Sequence, residues 1–390
     1  MMKIIAVIIS FIPSIALGVV EESITPYKFS DEERRTGFVA YAIPKSSTFS
    51  VPRSQKDAPD LTYYLSKPKQ HKAYPIVLFC SGSELRKSVS SVIHVHRYFL
   101  KEFLDLGVAL ITLEQWGIKG TQVHADEFMH HYTRTQRLLD HKTLINHLLS
   151  HPPEGWNGQF IFVGVSEGGP IVTALTTMYP DKTLATINWC GTSGWNWREE
   201  LWAFLKKMRD QMLASVPWPI RLRSYLPSWA PYSVNLHLPE TRPEYDEIMD
   251  QTMAAPTPTK EFVGMTYMYH ADALSWPITD YTQIKSPYLA VAGARDFLID
   301  SSDAFVKRAR RAGVPITYLR VKDMDHYVRK RPDIIKKSLE WLEKFLHAPK
   351  KTHKTSTPES FTHLGVRAPS IRESSWVRDV QARPLQAALW

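Results

Sequence analysis

The sequence predicts an α/β fold, in which helices flank a mostly parallel central β-sheet. The chain has 390 residues, enough to bury a large core in one α/β domain. From about residue 61 onward, short apolar runs typical of buried strands alternate with amphipathic segments of helical period. One of these runs, Phe160–Val165, leads directly into a segment compatible with a helix, as expected for a strand–turn–helix unit of such a sheet.

Residues 1–18 have the pattern of a secretory signal peptide. Lys3 precedes a long apolar run, and the small-residue exit Ala16-Leu17-Gly18 places a cleavage site directly after it. Extended to Val20, the run approaches the lower length limit of a membrane span, although Pro13 interrupts it. We therefore expect an exported protein, whether secreted, periplasmic or in the cell envelope. The alternative is a membrane anchor formed by the uncleaved segment.

Residues 19–193 are predicted to form the first part of the α/β core. Two extended runs, Phe38–Ile43 and Leu61–Leu65, are expected to open the sheet as antiparallel strands. The later strands are predicted at Pro75–Cys80, Val108–Leu113, Phe160–Val165 and Leu184–Cys190, and the helices at Ser91–Leu106, Thr133–Leu149 and Pro170–Tyr179.

Residues 194–285 interrupt the alternation of strands and helices, directly after the sixth predicted strand. Helical pieces such as Trp197–Ala214 are followed by segments that prolines break. Six of the 12 tryptophans fall in this insertion: Trp195, Trp197, Trp202, Trp218, Trp229 and Trp276. We expect a helical, tryptophan-rich insertion whose aromatic side chains favour a wide apolar access path over a phosphate or sugar site.

Residues 286–348 are predicted to complete the core with two strands, Tyr288–Gly293 and Pro315–Val321, and two helices, Ser302–Arg311 and Pro332–Leu346. Residues 349–390 are rich in Lys, Ser, Thr and Pro, and we predict a basic, disordered tail. Its basic residues are Lys350, Lys351, Lys354, Arg367, Arg372, Arg378 and Arg383. Such a tail suits peripheral contact with an anionic membrane.

The formal net charge is +9, but the basic residues do not form one stripe. The sequence contains no glycine-rich phosphate loop, no dinucleotide fingerprint and no nucleic-acid-binding module. We therefore expect neither a nucleotide cofactor nor a nucleic-acid partner.

The chain has two cysteines, Cys80 and Cys190, each at the end of a predicted sheet strand. One further strand is expected between them. Neighbouring strands lie about 4.8 Å apart, so the two residues should be roughly 10 Å apart, beyond the reach of a disulfide. We predict two buried free thiols.

Ser166 lies in the pattern Gly-x-Ser-x-Gly at the end of the strand Phe160–Val165. A serine hydroxyl becomes a useful nucleophile only beside a general base, which an acid must orient. Asp296 and His326 follow the last two predicted strands, so all three side chains are expected at the carboxyl edge of the sheet. Asp300 and Asp303 are alternatives for the acid.

Two further acids, Asp323 and Asp325, lie close to His326 in the sequence, but neither follows the seventh predicted strand, Tyr288–Gly293. One acid and three histidines resemble a metal cluster: Glu127, His124, His130 and His131. Their spacing does not place two histidines and the acid on one helical face. We expect no metal site.

From Leu61 to Leu346 the chain resembles the α/β-hydrolases. Gly164-Val165-Ser166-Glu167-Gly168-Gly169 is similar to the nucleophile elbow of prolyl-oligopeptidase-like hydrolases and of bile-acid acyltransferase/acyl-thioesterase relatives. The resemblance implies Ser166 as nucleophile, Asp296 as acid and His326 as base, with the insertion as a cap. It also implies an oxyanion hole from the backbone N–H groups of Glu167 and Ser83, and no cofactor.

The loop that carries Ser83 departs from the family pattern, because Ser81-Gly82 stands where the family has His-Gly. From these features we expect a serine hydrolase that cleaves carboxylic esters of small molecules or lipids through an acyl-enzyme. One alternative is a peptidase, acyl-thioesterase or acyltransferase with the same three residues. A second is a non-catalytic, membrane-associated binding protein on a hydrolase fold.

Overall fold

An eight-stranded sheet forms the centre of the part of the chain that the structure describes. The computed structural model describes residues 47–69, 73–86, 89–119, 122–191, 194–215 and 238–346. The predicted signal peptide at 1–18, the predicted strand Phe38–Ile43 and the predicted tail at 349–390 lie outside these residues.

The strands of the central sheet are β1 (Thr48–Val51), β2 (Leu61–Ser66), β3 (Tyr74–Cys80), β4 (Ala109–Leu113), β7 (Trp156–Val165), β8 (Thr183–Trp189), β11 (Tyr288–Gly293) and β12 (Ile316–Val321). Their order in space is β1-β2-β4-β3-β7-β8-β11-β12. The pairs β1–β2 and β2–β4 are antiparallel, and the other pairs are parallel. A mostly parallel sheet with an antiparallel opening is thus confirmed.

The strand β1 was absent from the prediction, which placed no strand between residues 44 and 60. It has four residues, and only Val51 is buried, so it leaves no apolar run in the sequence. Phe49 stacks on Tyr63 of β2 with ring centroids 5.3 Å apart. A cross-strand pair of this kind stabilises an edge strand but cannot be recognised before the pairing is known.

Helices pack on both faces of the sheet. The helices that follow the core strands are α1 (Ile93–Asp105), α3 (Arg134–Ser150), α4 (Gly168–Met178), α8 (Ile299–Arg311) and α9 (Pro332–Leu346). Successive side chains of a strand point to opposite faces, and this alternation divides the core. Val77 and Phe79 pack with α1 and α9, whereas Ile76 and Leu78 pack with α3 and α4.

Within the described residues, the insertion after β8 is largely helical, as predicted. It contains α5 (Trp197–Ser215), α6 (Arg242–Ala254), a ribbon of β9 (Glu261–Phe262) and β10 (Met265–Thr266), and α7 (Tyr267–Leu274). Leu201 and Leu205 of α5 pack against Tyr245 and Met249 of α6 in a small apolar cluster of their own. The ribbon was not predicted, because each of its strands has only two residues.

The loop after β4 also carries structure that the sequence analysis left out. A second two-residue ribbon, β5 (Ile118–Lys119) with β6 (Gln122–Val123), precedes the short helix α2 (Ala125–His131). No helix among the described residues is long and apolar enough to cross a membrane.

The two cysteines are free and buried, which confirms the prediction. Cys80 ends β3, Cys190 follows β8, and β7 runs between those strands. Burial raises the pKa of the Cys80 thiol to about 11, despite the opposing charge of Arg137. Their burial and the raised pKa of Cys80 indicate neutral thiols that pack as small apolar groups.

Candidate active site

Ser166 occupies a sharp turn between β7 and α4. Its φ is +53°, in the left-handed region that residues other than glycine rarely adopt. The turn also brings backbones very close together, because a Cβ on Gly164 would lie 2.6 Å from the Gly168 carbonyl oxygen. A Cβ on Gly168 would lie 2.1 Å from the carbonyl oxygen of Cys80. The two glycines of the pattern are therefore required by the close approach of α4 to β7 and β3.

The structure brings Ser166, His326 and Asp296 together in one hydrogen-bonded chain. The His326 Nε2 lies 2.8 Å from the Ser166 Oγ, and its Nδ1 lies 3.0 Å from each carboxylate oxygen of Asp296. Asp296 also accepts a hydrogen bond from the backbone N–H of Leu298 at 2.9 Å, which fixes the carboxylate. With the imidazole proton on Nδ1, Nε2 is free to accept the hydroxyl proton of the serine.

The electrostatic environment of His326 favours its protonated form. Burial alone would lower the pKa of the imidazole, but the charge and hydrogen bonds of Asp296 outweigh this effect and raise the pKa above its usual value. The Asp296 side chain has no exposed surface, whereas 18% of the His326 side chain is exposed. The acid is therefore shielded from solvent, and the base is partly exposed.

The other acids considered for this site have different partners. Asp300 pairs with Lys207 at 2.6 Å, and Asp303 accepts from the Tyr318 hydroxyl at 2.5 Å. Asp325 accepts the Tyr327 backbone N–H at 2.8 Å, and Asp323 faces Arg295 at 3.5 Å. None of these four carboxylates bonds to His326.

The loop after β3 lies against the nucleophile. A Cβ on Gly82 would lie 3.2 Å from the Ser166 Cβ and 3.8 Å from its Oγ. Ser83 is the next residue and is exposed. The backbone of this loop and the backbone of Glu167 therefore flank Ser166, as an oxyanion hole requires, and the roles of the Ser83 and Glu167 N–H groups stay predictions.

The side chain of Glu167 has surroundings that the sequence analysis missed. Its carboxylate is buried and accepts hydrogen bonds from the Tyr132 and Tyr269 hydroxyls and from Arg137 at 2.9 Å, with the Arg134 Nε at 3.5 Å. Burial opposes the charge of Glu167, but the two guanidinium groups outweigh it and lower the pKa of the carboxyl. The spacing of Arg134 and Arg137 on one helical face was the available signal.

The residues of the rejected metal cluster are occupied in other ways. His131 stacks on Trp116 with ring centroids 3.8 Å apart, and the His130 Nδ1 lies 2.6 Å from the Asp126 carbonyl oxygen. Across the described ranges, no group of three or more His, Cys, Asp or Glu side chains is arranged to hold a metal ion.

Three tryptophans of the insertion line a small cleft beside α4, namely Trp195, Trp197 and Trp276. Neither Ser166 nor His326 lines this cleft. Trp202 instead packs against Tyr245 with ring centroids 5.2 Å apart, and Trp218 and Trp229 lie outside the described residues. The tryptophans thus divide between packing and a surface cleft, and an apolar path to Ser166 stays a prediction.

The strand order, the left-handed serine between β7 and α4, and the acid and histidine after β11 and β12 define an α/β-hydrolase fold. Solved structures similar to this chain include Est1E from Butyrivibrio proteoclasticus. It is 14% identical, with a TM-score of 0.45, and the match covers 77% of this chain and 97% of that one.

Two further solved structures are similar at the same level. The brefeldin A esterase, a bacterial homologue of human hormone-sensitive lipase, is 13% identical with a TM-score of 0.46, over 86% of this chain and 85% of that one. The acylaminoacyl peptidase of Pyrococcus horikoshii is 15% identical with a TM-score of 0.46, over 78% of this chain and 42% of that one. No protein-family model and no curated protein matches the chain.

Proposed function

We propose that this protein is a serine hydrolase that cleaves carboxylic esters through an acyl-enzyme. The observation that carries the proposal is the pair of hydrogen bonds of His326, at 2.8 Å to the Ser166 Oγ and at 3.0 Å to Asp296. A nucleophile, a base and an acid that orients the base, each at the end of a different strand, match the geometry required for acyl transfer.

In the first half of the reaction, His326 takes the hydroxyl proton while the Ser166 Oγ attacks the acyl carbon. The negative charge that develops on the carbonyl oxygen is stabilised by the backbone N–H groups of Glu167 and Ser83, typically by about 3 kcal/mol for each donor. His326 then gives its proton to the departing alcohol, and an ester to Ser166 remains. In the second half, His326 activates a water molecule that releases the acid. These groups complete the reaction without a metal or organic cofactor.

The substrate class belongs to the proposal as well. We assign small-molecule or lipid esters, because the insertion is rich in tryptophan and aromatic side chains suit apolar groups. The N-terminal apolar segment and the basic tail support an exported protein with peripheral membrane contact, or one anchored through its N-terminus.

Covalent labelling tests the nucleophile. A fluorophosphonate probe should label the wild-type protein on Ser166 and fail on Ser166→Ala, because the probe reacts only with a serine activated by a base. Ser50→Ala, on the edge strand β1, is the matched control and should label like the wild type. Labelling that survives in Ser166→Ala contradicts the assignment.

A substrate panel then decides among the reactions that share this triad. Turnover of p-nitrophenyl esters should exceed turnover of acyl thioesters and aminoacyl amides. Preference for thioesters or amides would replace the ester assignment with the thioesterase or peptidase alternative. A protein that binds liposomes without probe labelling would be a binding protein on this fold.

A further inference from the structure

Two arginines and two tyrosines surround the carboxylate of Glu167, the residue that follows the nucleophile. We call Glu167, Arg134, Arg137, Tyr132 and Tyr269 the Glu167 cluster. The charged side chains of the cluster are only 4–5% exposed. A buried ionised carboxylate is tolerated only where it is paired and hydrogen-bonded, and both oxygens of Glu167 are.

The cluster also holds the loop that carries Ser83. The Arg137 Nη1 donates to Glu167 at 2.9 Å, while its Nη2 donates to the backbone carbonyl of Ser81 at 2.5 Å. The Tyr132 hydroxyl donates to Glu167 and accepts the backbone N–H of Glu84 at 3.2 Å. The Glu167 carboxylate is thus connected, through one intermediate side chain each, to the residues before and after the segment 82–83.

An oxyanion hole needs two N–H donors from two separate segments of chain at a fixed separation. In the proposed reaction the elbow supplies one donor, on Glu167, and the loop after β3 supplies the other, on Ser83. Stabilisation of a developing charge depends on donors that are already in place, and a displacement of a fraction of an ångström reduces it. The side chain of Glu167, which bears the first donor, is therefore connected through Arg137 and Tyr132 to the loop that bears Ser83.

We propose that Arg137 and Tyr132 are positioning residues, which hold the loop at 81–84 against the elbow so that the N–H groups of Ser83 and Glu167 converge on one oxygen. This inference rests on the proposed function, because it assigns the cluster a part in the same oxyanion hole. Neither side chain contacts the reacting atoms; each acts through the backbone that it binds. Sequence alone gives Glu167 only a backbone role and gives Arg137 and Tyr132 none.

Two conservative variants test the proposal. Arg137→Lys keeps the charge but cannot bond Glu167 and Ser81 in the fork geometry of a guanidinium, and Tyr132→Phe removes only the hydroxyl. Two quantities are measured: kcat and KM for p-nitrophenyl acetate, and the inhibition constant of an alkylboronic acid, which forms a tetrahedral adduct on Ser166. We expect kcat to fall about 10- to 100-fold in each variant, because a displaced donor stabilises the transition state less.

The pattern across the readouts separates positioning from general support of the fold. KM should stay within about twofold, while the inhibition constant of the boronic acid should rise by about the same factor as 1/kcat, because the oxyanion hole stabilises tetrahedral species more strongly than the bound ester. If Arg137→Lys does not fold, Tyr132→Phe decides the outcome. Variants that lower the melting temperature but leave kcat and the inhibition constant unchanged overturn the proposal.

Arg53→Lys is the matched control. Arg53 is also buried and binds a carboxylate through two nitrogens, at 2.9 and 3.0 Å from Asp140, which lies one turn beyond Arg137 on α3. Its partners do not include the loop at 81–84, so its variant should lose stability without a change in kcat or in the inhibition constant. Failure of the proposed function shows itself separately, as absent labelling of the wild type or as labelling that survives in Ser166→Ala.

Discussion

Ser166 and Glu167 are neighbours in the chain but meet very different surroundings. The Ser166 hydroxyl bonds to His326, whose side chain is partly exposed. The Glu167 carboxylate is buried among four donors from two segments of chain, residues 132–137 and Tyr269. The turn at residues 166–167 therefore carries both the Ser166 hydroxyl and the carboxylate that binds the surrounding arginines and tyrosines.

The pH dependence of turnover tests the role of Asp296. His326 must be neutral to act as a base, and Asp296 raises its pKa, so kcat/KM should fall below a midpoint above 6.5 as the pH decreases. In Asp296→Asn the charge that raises the pKa is gone and burial remains, so the midpoint should move down. Turnover should also fall by about 10⁴-fold, since the tautomer of His326 is no longer fixed. The measurement is kcat/KM from pH 5 to 9.

Asp300→Asn is the control for that experiment. Asp300 lies four residues further along the chain and pairs with Lys207 instead of His326. Its variant should keep both the rate and the midpoint of the wild type. A large loss in Asp300→Asn with none in Asp296→Asn would show that the acid is assigned to the wrong residue.

At the scale of elements, the elbow is defined by how closely α4 approaches β7 and β3. Gly168 shows the limit, since an added Cβ would lie 2.1 Å from the Cys80 carbonyl oxygen, which is rigid backbone. Gly168→Ala should therefore push α4 away from β3, lower the melting temperature markedly and abolish fluorophosphonate labelling. Thermal unfolding and labelling of the same sample give the two readouts.

Gly158→Ala provides the comparison for that variant. Gly158 has a φ of +82°, but an added Cβ would meet nothing within 4 Å, so only backbone strain of about 1–2 kcal/mol is expected. Its labelling should match the wild type. If Gly168→Ala behaves no worse than Gly158→Ala, the close approach of α4 to β3 is not what requires a glycine.

The sequence predicts elements well where burial leaves a local pattern. The bounds of β11 and α9 match the prediction, because a continuous apolar strand and a helix begun by Pro332 are visible in the chain itself. Asp296 and His326 were selected on similar grounds, since they follow the predicted strands Tyr288–Gly293 and Pro315–Val321. The strand β1 and the Glu167 cluster were missed. Their stabilising contacts join residues far apart in the sequence, such as Tyr269 and Glu167, which only the fold brings together.

At the scale of the whole molecule, the fold holds three of the described buried histidines neutral. Burial lowers the pKa of His96 to about 3 and that of His141 and of His270 to about 4. An unfolded chain binds a proton at each of them near pH 6.5, whereas the folded chain does not until the pH is far lower. Each therefore contributes stability that is present above pH 6.5 and is lost as the pH falls towards the folded pKa.

His96 allows this contribution to be measured by itself. Its ring bonds the Ser66 Oγ and the Thr112 Oγ1, each at 2.9 Å, between β2, α1 and β4. Between pH 6 and 4.5 the wild-type unfolded state binds a proton at His96 that the folded state does not bind. His96→Gln removes this difference, so the free energy of unfolding should depend less on pH in that range, by about 1.4 kcal/mol per pH unit. Urea unfolding at several pH values gives the slope for each protein. Equal slopes in the wild type and in His96→Gln would show that His96 is protonated in the folded state as readily as in the unfolded one.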